Sequence, residues 1–158
     1  MARPHDDLKF VTGTAPVALT AASDYVSLRQ YNHCTVWITI DNGDSVTATE
    51  VALTQAQAVA ATGAKTLGFT TYYANTDTAA GDTETATTAS SNTFNSSTTN
   101  AKNLSYRIEV DAAELDVANS FDCLCVTCAN GANSVGQITF VLSEPRYKST
   151  LAETAITD

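Results

Sequence analysis

The chain has 158 residues, 44% hydrophobic and 16% charged, with eight Lys and Arg against seventeen Asp and Glu and a net charge of -9. One domain of this length can bury a core without staples, and the excess of carboxylate opposes nucleic-acid binding, which needs a cationic footprint to displace phosphate counterions. Thr and Ala dominate, with Ser and Asn close behind, which excludes a solvated helical bundle and a disordered acidic tail. The N-terminus, Met1-Ala2-Arg3-Pro4-His5-Asp6-Asp7, is followed by no apolar core, so no signal peptide is expected and the chain is read as made in a cytosol. Its apolar runs are only a few residues, far short of a membrane span. Residues 1–15 lack periodicity and carry Pro4 and Gly13, with Pro16 next to them. They predict an extended N-terminal arm.

From Val17 the signals are those of strands. Val17 and Leu19 alternate, as does Tyr25-Val-Ser-Leu-Arg-Gln-Tyr31. Cys34-Thr-Val-Trp-Ile-Thr-Ile-Asp41 is the strongest strand, rich in β-branched and aromatic residues. Val36, Ile38 and Ile40 share one face of it, Trp37 and Thr39 the other. Asp41-Asn-Gly-Asp44 then reads as a turn that ends it, because Asn-Gly takes positive φ readily. A strand to about Gln57 and a loop through Gly63 are expected next, then a strand at Leu67-Gly-Phe-Thr-Thr-Tyr-Tyr73 and a loop from Asn75 to Gly81. Glu84–Thr88 and Asn92–Thr98 read as weak Thr-rich strands joined by a Ser-Ser turn. The aromatics Phe69, Tyr72, Tyr73 and Phe94 keep this polar stretch in the fold. Leu104, Tyr106, Ile108 and Val110 alternate inward. Ala112 to Asp116 fits one helical turn capped by Asp111. Phe121–Ala129 and Val135–Leu142 are strands around Asn130-Gly-Ala-Asn133, and Pro145, which cannot donate to a ladder, stops the sheet. Eight or so short strands at this spacing predict an all-β antiparallel sandwich or jelly roll over residues 16–144, with a C-terminal tail at 145–158.

Chemistry is sparse. There is no Gly-x-Ser-x-Gly elbow, phosphate loop or dinucleotide fingerprint. His5 sits in the expected arm, and His33 reads as a strand-edge residue with a hydrogen-bonded ring. No enzyme constellation emerges. Cys34, Cys123, Cys125 and Cys128 are the only cysteines. Alternation puts Cys123 and Cys125 on one face of a strand and Cys128 on the other. They are therefore read as small buried hydrophobes rather than metal ligands. The acidic stretches Asp41–Asp44 and Asp77–Glu84 lack the pattern of a twelve-residue calcium loop and are read as turns. Trp37, Tyr25, Tyr31, Tyr72 and Tyr73 are candidates for sugar binding. Because Trp37 lies inside the strongest strand, packing in the core or between sheets is its expected role.

Three phrases carry a family likeness. They are Gly63-Ala-Lys-Thr-Leu-Gly-Phe-Thr-Thr-Tyr-Tyr-Ala-Asn-Thr-Asp77, Tyr106-Arg-Ile-Glu-Val-Asp-Ala-Ala-Glu-Leu-Asp-Val-Ala-Asn-Ser-Phe-Asp-Cys-Leu-Cys-Val-Thr127 and Leu142-Ser-Glu-Pro-Arg-Tyr-Lys148. Together they resemble the jelly-roll capsid decoration (cement) proteins of tailed bacteriophages, over most of residues 16–148. The resemblance implies a structural protein of the virion, on the outer capsid surface, without cofactor or reaction. It implies homotrimers at three-fold positions that bridge subunits of the major capsid protein. It also implies an N-terminal arm that reaches the capsid or a neighbouring protomer. By position, Arg3, His5, Phe10 and Val11 are the expected partner contacts, followed by Pro145, Arg146 and Tyr147. A tail or head-fibre domain and a carbohydrate-binding sandwich are the competing readings.

Overall fold

The computed structural model describes residues 7–147. The chain forms two antiparallel sheets. Sheet A has six strands in the order β1 (Lys9–Ala18), β11 (Ala132–Pro145), β3 (Tyr31–Thr47), β9 (Asn103–Asp111), β6 (Thr71–Asn75) and β7 (Thr85–Thr88). Sheet B has β2 (Val26–Ser27), β10 (Cys123–Ala129), β4 (Glu50–Ala56) and β5 (Lys65–Leu67). A further strand, β8 (Thr93–Asn95), shares the free edge of β4 with β5: β8 lies opposite Glu50–Ala52, and β5 opposite Leu53–Gln55.

Without the β6–β7 hairpin and β8, the orders are β1-β11-β3-β9 and β2-β10-β4-β5. The chain crosses between the sheets at almost every connection. These are the two Greek keys of an eight-stranded jelly roll, and β6–β7 widens sheet A beyond β9. The period-two patterns decide which faces meet. Val36, Ile38, Ile40, Leu104, Tyr106, Ile108, Val110, Ile138, Phe140 and Leu142 of sheet A pack on Val51, Leu53, Leu124 and Val126 of sheet B in one core. The polar stretch is anchored by its aromatics, as expected. Phe94 of β8 stacks on Tyr72 of β6 at 4.0 Å and tilts against Tyr106 at 5.0 Å, so it joins the two sheets.

Three expectations need correction. First, the N-terminal arm does not extend through residue 15, because β1 starts at Lys9 and pairs with β11 from Lys9↔Leu142 to Ala18↔Val135. Register shifts at Thr12/Thr14 and Thr14/Val17 accommodate the Gly13 and Pro16 that interrupt its alternation. Second, Asp41-Asn-Gly-Asp44 is not a turn. Strand β3 runs on to Thr47, and Ser45 rather than Gly43 takes the left-handed φ, 57°. The Asn42 amide is spent on other loops, donating to the carbonyls of Ser97 and Thr99. Third, two stretches read as single strands are not: of Tyr25 to Tyr31 only Val26–Ser27 pairs as a separate strand, and the stretch from Leu67 to Tyr73 divides between β5 in sheet B and β6 in sheet A. The turn after β10 is as expected, but Asn130 and Asn133 supply the positive φ. Gly131 is needed there for space, since a Cβ on it would meet Thr49 Oγ1 at 2.4 Å and the Leu19 carbonyl at 2.9 Å.

Candidate functional site

The residues expected to meet a partner separate into three groups. Arg3 and His5 lie outside the described residues. Val11 faces the core and is buried, so it is removed from the contact set: its partner across the ladder is Phe140, at the centre of the sandwich. Phe10, Pro145, Arg146 and Tyr147 gather at one end of sheet A. Phe10 pairs with Val141 and points outward, 68% exposed. Pro145, the last residue of β11, lies opposite Tyr31. The Arg146 backbone N–H donates to the Gln30 carbonyl, and its Nε donates to Asn32 Oδ1 at 3.0 Å. These bonds hold Arg146; Tyr147 next to it is 72% exposed.

Beside this end, the outer face of β3 and β9 carries a connected polar network. His33 Nδ1 lies 2.7 Å from Asp111 Oδ1, and Nε2 lies 2.8 Å from Glu109 Oε2. Thr35 Oγ1 donates to the same Glu109 oxygen. Arg107 bonds Glu109 and, through Nε at 2.8 Å, Glu84, with its guanidinium over the Tyr73 ring. His33 has the hydrogen-bonded ring expected of it, but its strand is interior to the sheet rather than at an edge, between β11 and β9. Sequence reading missed Glu109, Asp111 and Glu84, because their partners come from other strands.

Both His33 nitrogens face carboxylate oxygens, and imidazole offers two N–H donors only when protonated. Burial, the largest influence, lowers its pKa. The hydrogen bonds to Asp111 and Glu109 outweigh it, and the pKa lies above the ordinary 6.5. A raised folded-state pKa stabilises fully below the unfolded value and loses its contribution as pH rises through the folded one. Stability is therefore expected to fall as pH rises above the ordinary histidine value of about 6.5, by under about 1 kcal/mol because solvent reaches both carboxylates. Thermal melts on both sides of that value check this: the wild type should lose a few degrees relative to His33→Gln.

At the opposite end of sheet A, four outward polar side chains make no hydrogen bond to another described residue. Thr39, Asp41, Asn103 and Gln137 line an open groove of about 380 Å3, with Pro16, Val135 and Thr78 as walls. The ladder explains the meeting: Gln137 pairs with Thr39, Val135 with Asp41, and Asp41 with Asn103. Trp37 stands one outward position before Thr39, opposite Thr139 on one side and Arg107 on the other. It is 39% exposed, which corrects the expectation that it packs in the core. Alternation had already placed it on the face opposite Val36, Ile38 and Ile40.

The cysteine faces are as read. Cys128 packs inward with the core, while Cys123 and Cys125 point to the outer side of sheet B. There Ser23 covers Cys125, accepting from its thiol at the backbone carbonyl. All four thiols are buried and free, and burial pushes Cys123 and Cys128 up to about 12. A thiol so far from ionisation is a poor nucleophile or ligand at neutral pH. Among the described residues, no three His, Cys, Asp or Glu side chains are grouped to hold a metal ion, and no helix is long and apolar enough to cross a membrane. Comparison with protein-family models, with curated proteins and with solved structures finds no match.

Proposed function

We propose that this chain is a structural virion protein, a decoration (cement) protein. It binds the outer surface of a tailed-phage head as a homotrimer and holds neighbouring subunits of the major capsid protein together. The reading rests on the resemblance of its sequence phrases. The structural observation that supports it is the gathering of Phe10, Pro145, Arg146 and Tyr147 at one end of a rigid sheet, with two aromatics exposed there. Aromatic and Arg side chains on an ordered surface are the usual anchors of a protein interface. The jelly roll supplies stiffness, and the first strand begins and the last strand finishes at this same end, where Lys9 pairs with Leu142 and Pro145 with Tyr31.

A cement protein acts by preferring the assembled lattice to separated subunits, so each occupied site stabilises the shell by mass action. Weak contacts suffice when copies are linked and sites repeat on the lattice. A trimer would also cover free edges such as β1, which otherwise present unpaired backbone groups.

The test is occupancy on purified heads that lack the protein. Phe10→Asp combined with Tyr147→Asp should lower occupancy at sub-saturating concentration by at least about tenfold, the loss of one well-buried aromatic contact. Deleting residues 1–6 leaves β1 intact and probes Arg3 and His5 separately. Occupancy equal to wild type for the double variant would remove this end of the sheet from the interface. A native mass other than three chains would end the trimer assignment.

A further inference from the structure

We propose that the groove at the far end of sheet A is a binding site for a neutral oligosaccharide, built from Trp37, Thr39, Asp41, Asn103 and Gln137. This goes beyond the virion assignment and does not depend on it.

Three observations lead there. The first is the contrast between the two ends of the outer face. At the His33 end, His33, Thr35, Arg107, Glu109 and Asp111 satisfy one another. At the groove end, the side chains of Thr39, Asp41, Asn103 and Gln137 are not spent on hydrogen bonds to other described residues. One hydroxyl, one carboxylate and two carboxamides therefore converge with their donors and acceptors open. That set pairs with adjacent sugar hydroxyls, each of which both donates and accepts. The second is rigidity. All four residues stand on strands paired in the sheet, so little ordering is lost on binding. The groove volume also falls in the range of small-molecule sites. The third is Trp37. It is exposed in the centre of the same sheet, two residues from Thr39 and four from Asp41. At about 3.3 Å per residue this separates ring and groove by about 7–13 Å, the reach of a short oligosaccharide that lies along the strand. An exposed indole offers the apolar face of a sugar ring a flat surface. Its neighbour Arg107 is held in place by Glu84, Glu109 and Tyr73.

Charge selects the class. Asp41 is the one charged residue on the groove lining, and the chain carries -9. Sulfated, phosphorylated or uronic-acid glycans meet repulsion, and neutral ones do not.

The protein has a single tryptophan, so its emission reports on this face alone. The experiment presents the full chain to an array of neutral glycans. It then titrates cellohexaose, maltohexaose and chitohexaose, plus any array hit, against Trp37 fluorescence, with a heparin hexasaccharide and hexalysine as controls. A neutral glycan is expected to shift the Trp37 emission, and Asn103→Ala and Gln137→Ala are expected to weaken it at least about tenfold. Both positions are on the solvent side of the sheet, and unchanged melting temperatures confirm folding. Phe10→Asp should leave glycan binding unaltered, which keeps this result separate from the capsid test. The proposal is overturned if no neutral glycan binds, if only hexalysine or the heparin fragment does, or if binding survives both groove variants unchanged.

Discussion

Phe140→Ala is expected to lower the unfolding free energy by about 3–5 kcal/mol. Strand β11 lies between β1 and β3, and the Phe140 side chain is fully buried, with Val11 and Val36 as its cross-strand partners. The backbone closes over the ring from the β1 side, since a Cβ on Gly13 would come within 2.5 Å of it. Truncation leaves a cavity that neither flanking strand can fill, because both are held in register by ladder hydrogen bonds. The loss is then the transfer term plus the cavity term. Phe140→Leu, which keeps most of the volume, should cost under about 1.5 kcal/mol. Urea titration distinguishes the two: the midpoint should drop sharply for Ala at unchanged slope. Against a typical total of about 5–15 kcal/mol, the Ala variant sits close to the folding threshold. A loss under about 1 kcal/mol would mean that the ring is not enclosed as described.

How far these features were legible in the sequence depends on the distance between cause and effect. Faces within a strand were readable, because alternation is local. Val36, Ile38 and Ile40 against Trp37 and Thr39, and Cys128 against Cys123 and Cys125, fall as the period of two requires. At Trp37 residue type and position disagree. The indole suggested a core, while the alternation pointed to the surface. Strand β1 was hidden for a different reason: Gly13 and Pro16 break the pattern, and the bulges that absorb them are visible only once β11 lies alongside. The groove carries no local signal, and of the His33 network only the hydrogen-bonded ring of His33 itself was readable. His33 and Asp111 are 78 positions apart. The groove residues stand on three strands, and only the ladder register brings them together.

Asn42 shows the same limit and carries the second large effect. Its place in Asp41-Asn-Gly-Asp44 suggested a turn, yet the side chain is 1% exposed and acts at a distance. Nδ2 donates to the Ser97 carbonyl at 2.9 Å and to the Thr99 carbonyl at 3.0 Å, while Oδ1 has no partner among the described residues. The residue therefore holds the 96–100 segment through its donors alone. Asn42→Ala removes both and is expected to cost about 2 kcal/mol, roughly one for each bond lost. Asn42→Asp keeps the shape but turns a donor into a buried carboxylate facing two carbonyl oxygens, at a cost of about 3 kcal/mol or more at neutral pH. Such a carboxyl has its folded-state pKa raised above the unfolded value of about 3.9. Its folded form binds the proton more tightly, so the penalty should shrink as pH falls through that raised value, where the protonated group regains an O–H donor. Thermal melts of the Ala and Asp variants over a pH series resolve the two cases, with the difference between the curves narrowing towards acid. Hydrogen exchange should localise the effect, with the Ala101 N–H that bonds the Gly43 carbonyl exchanging faster in both variants. An Asp variant as stable as Asn at neutral pH would show that this side chain does not face the two carbonyls.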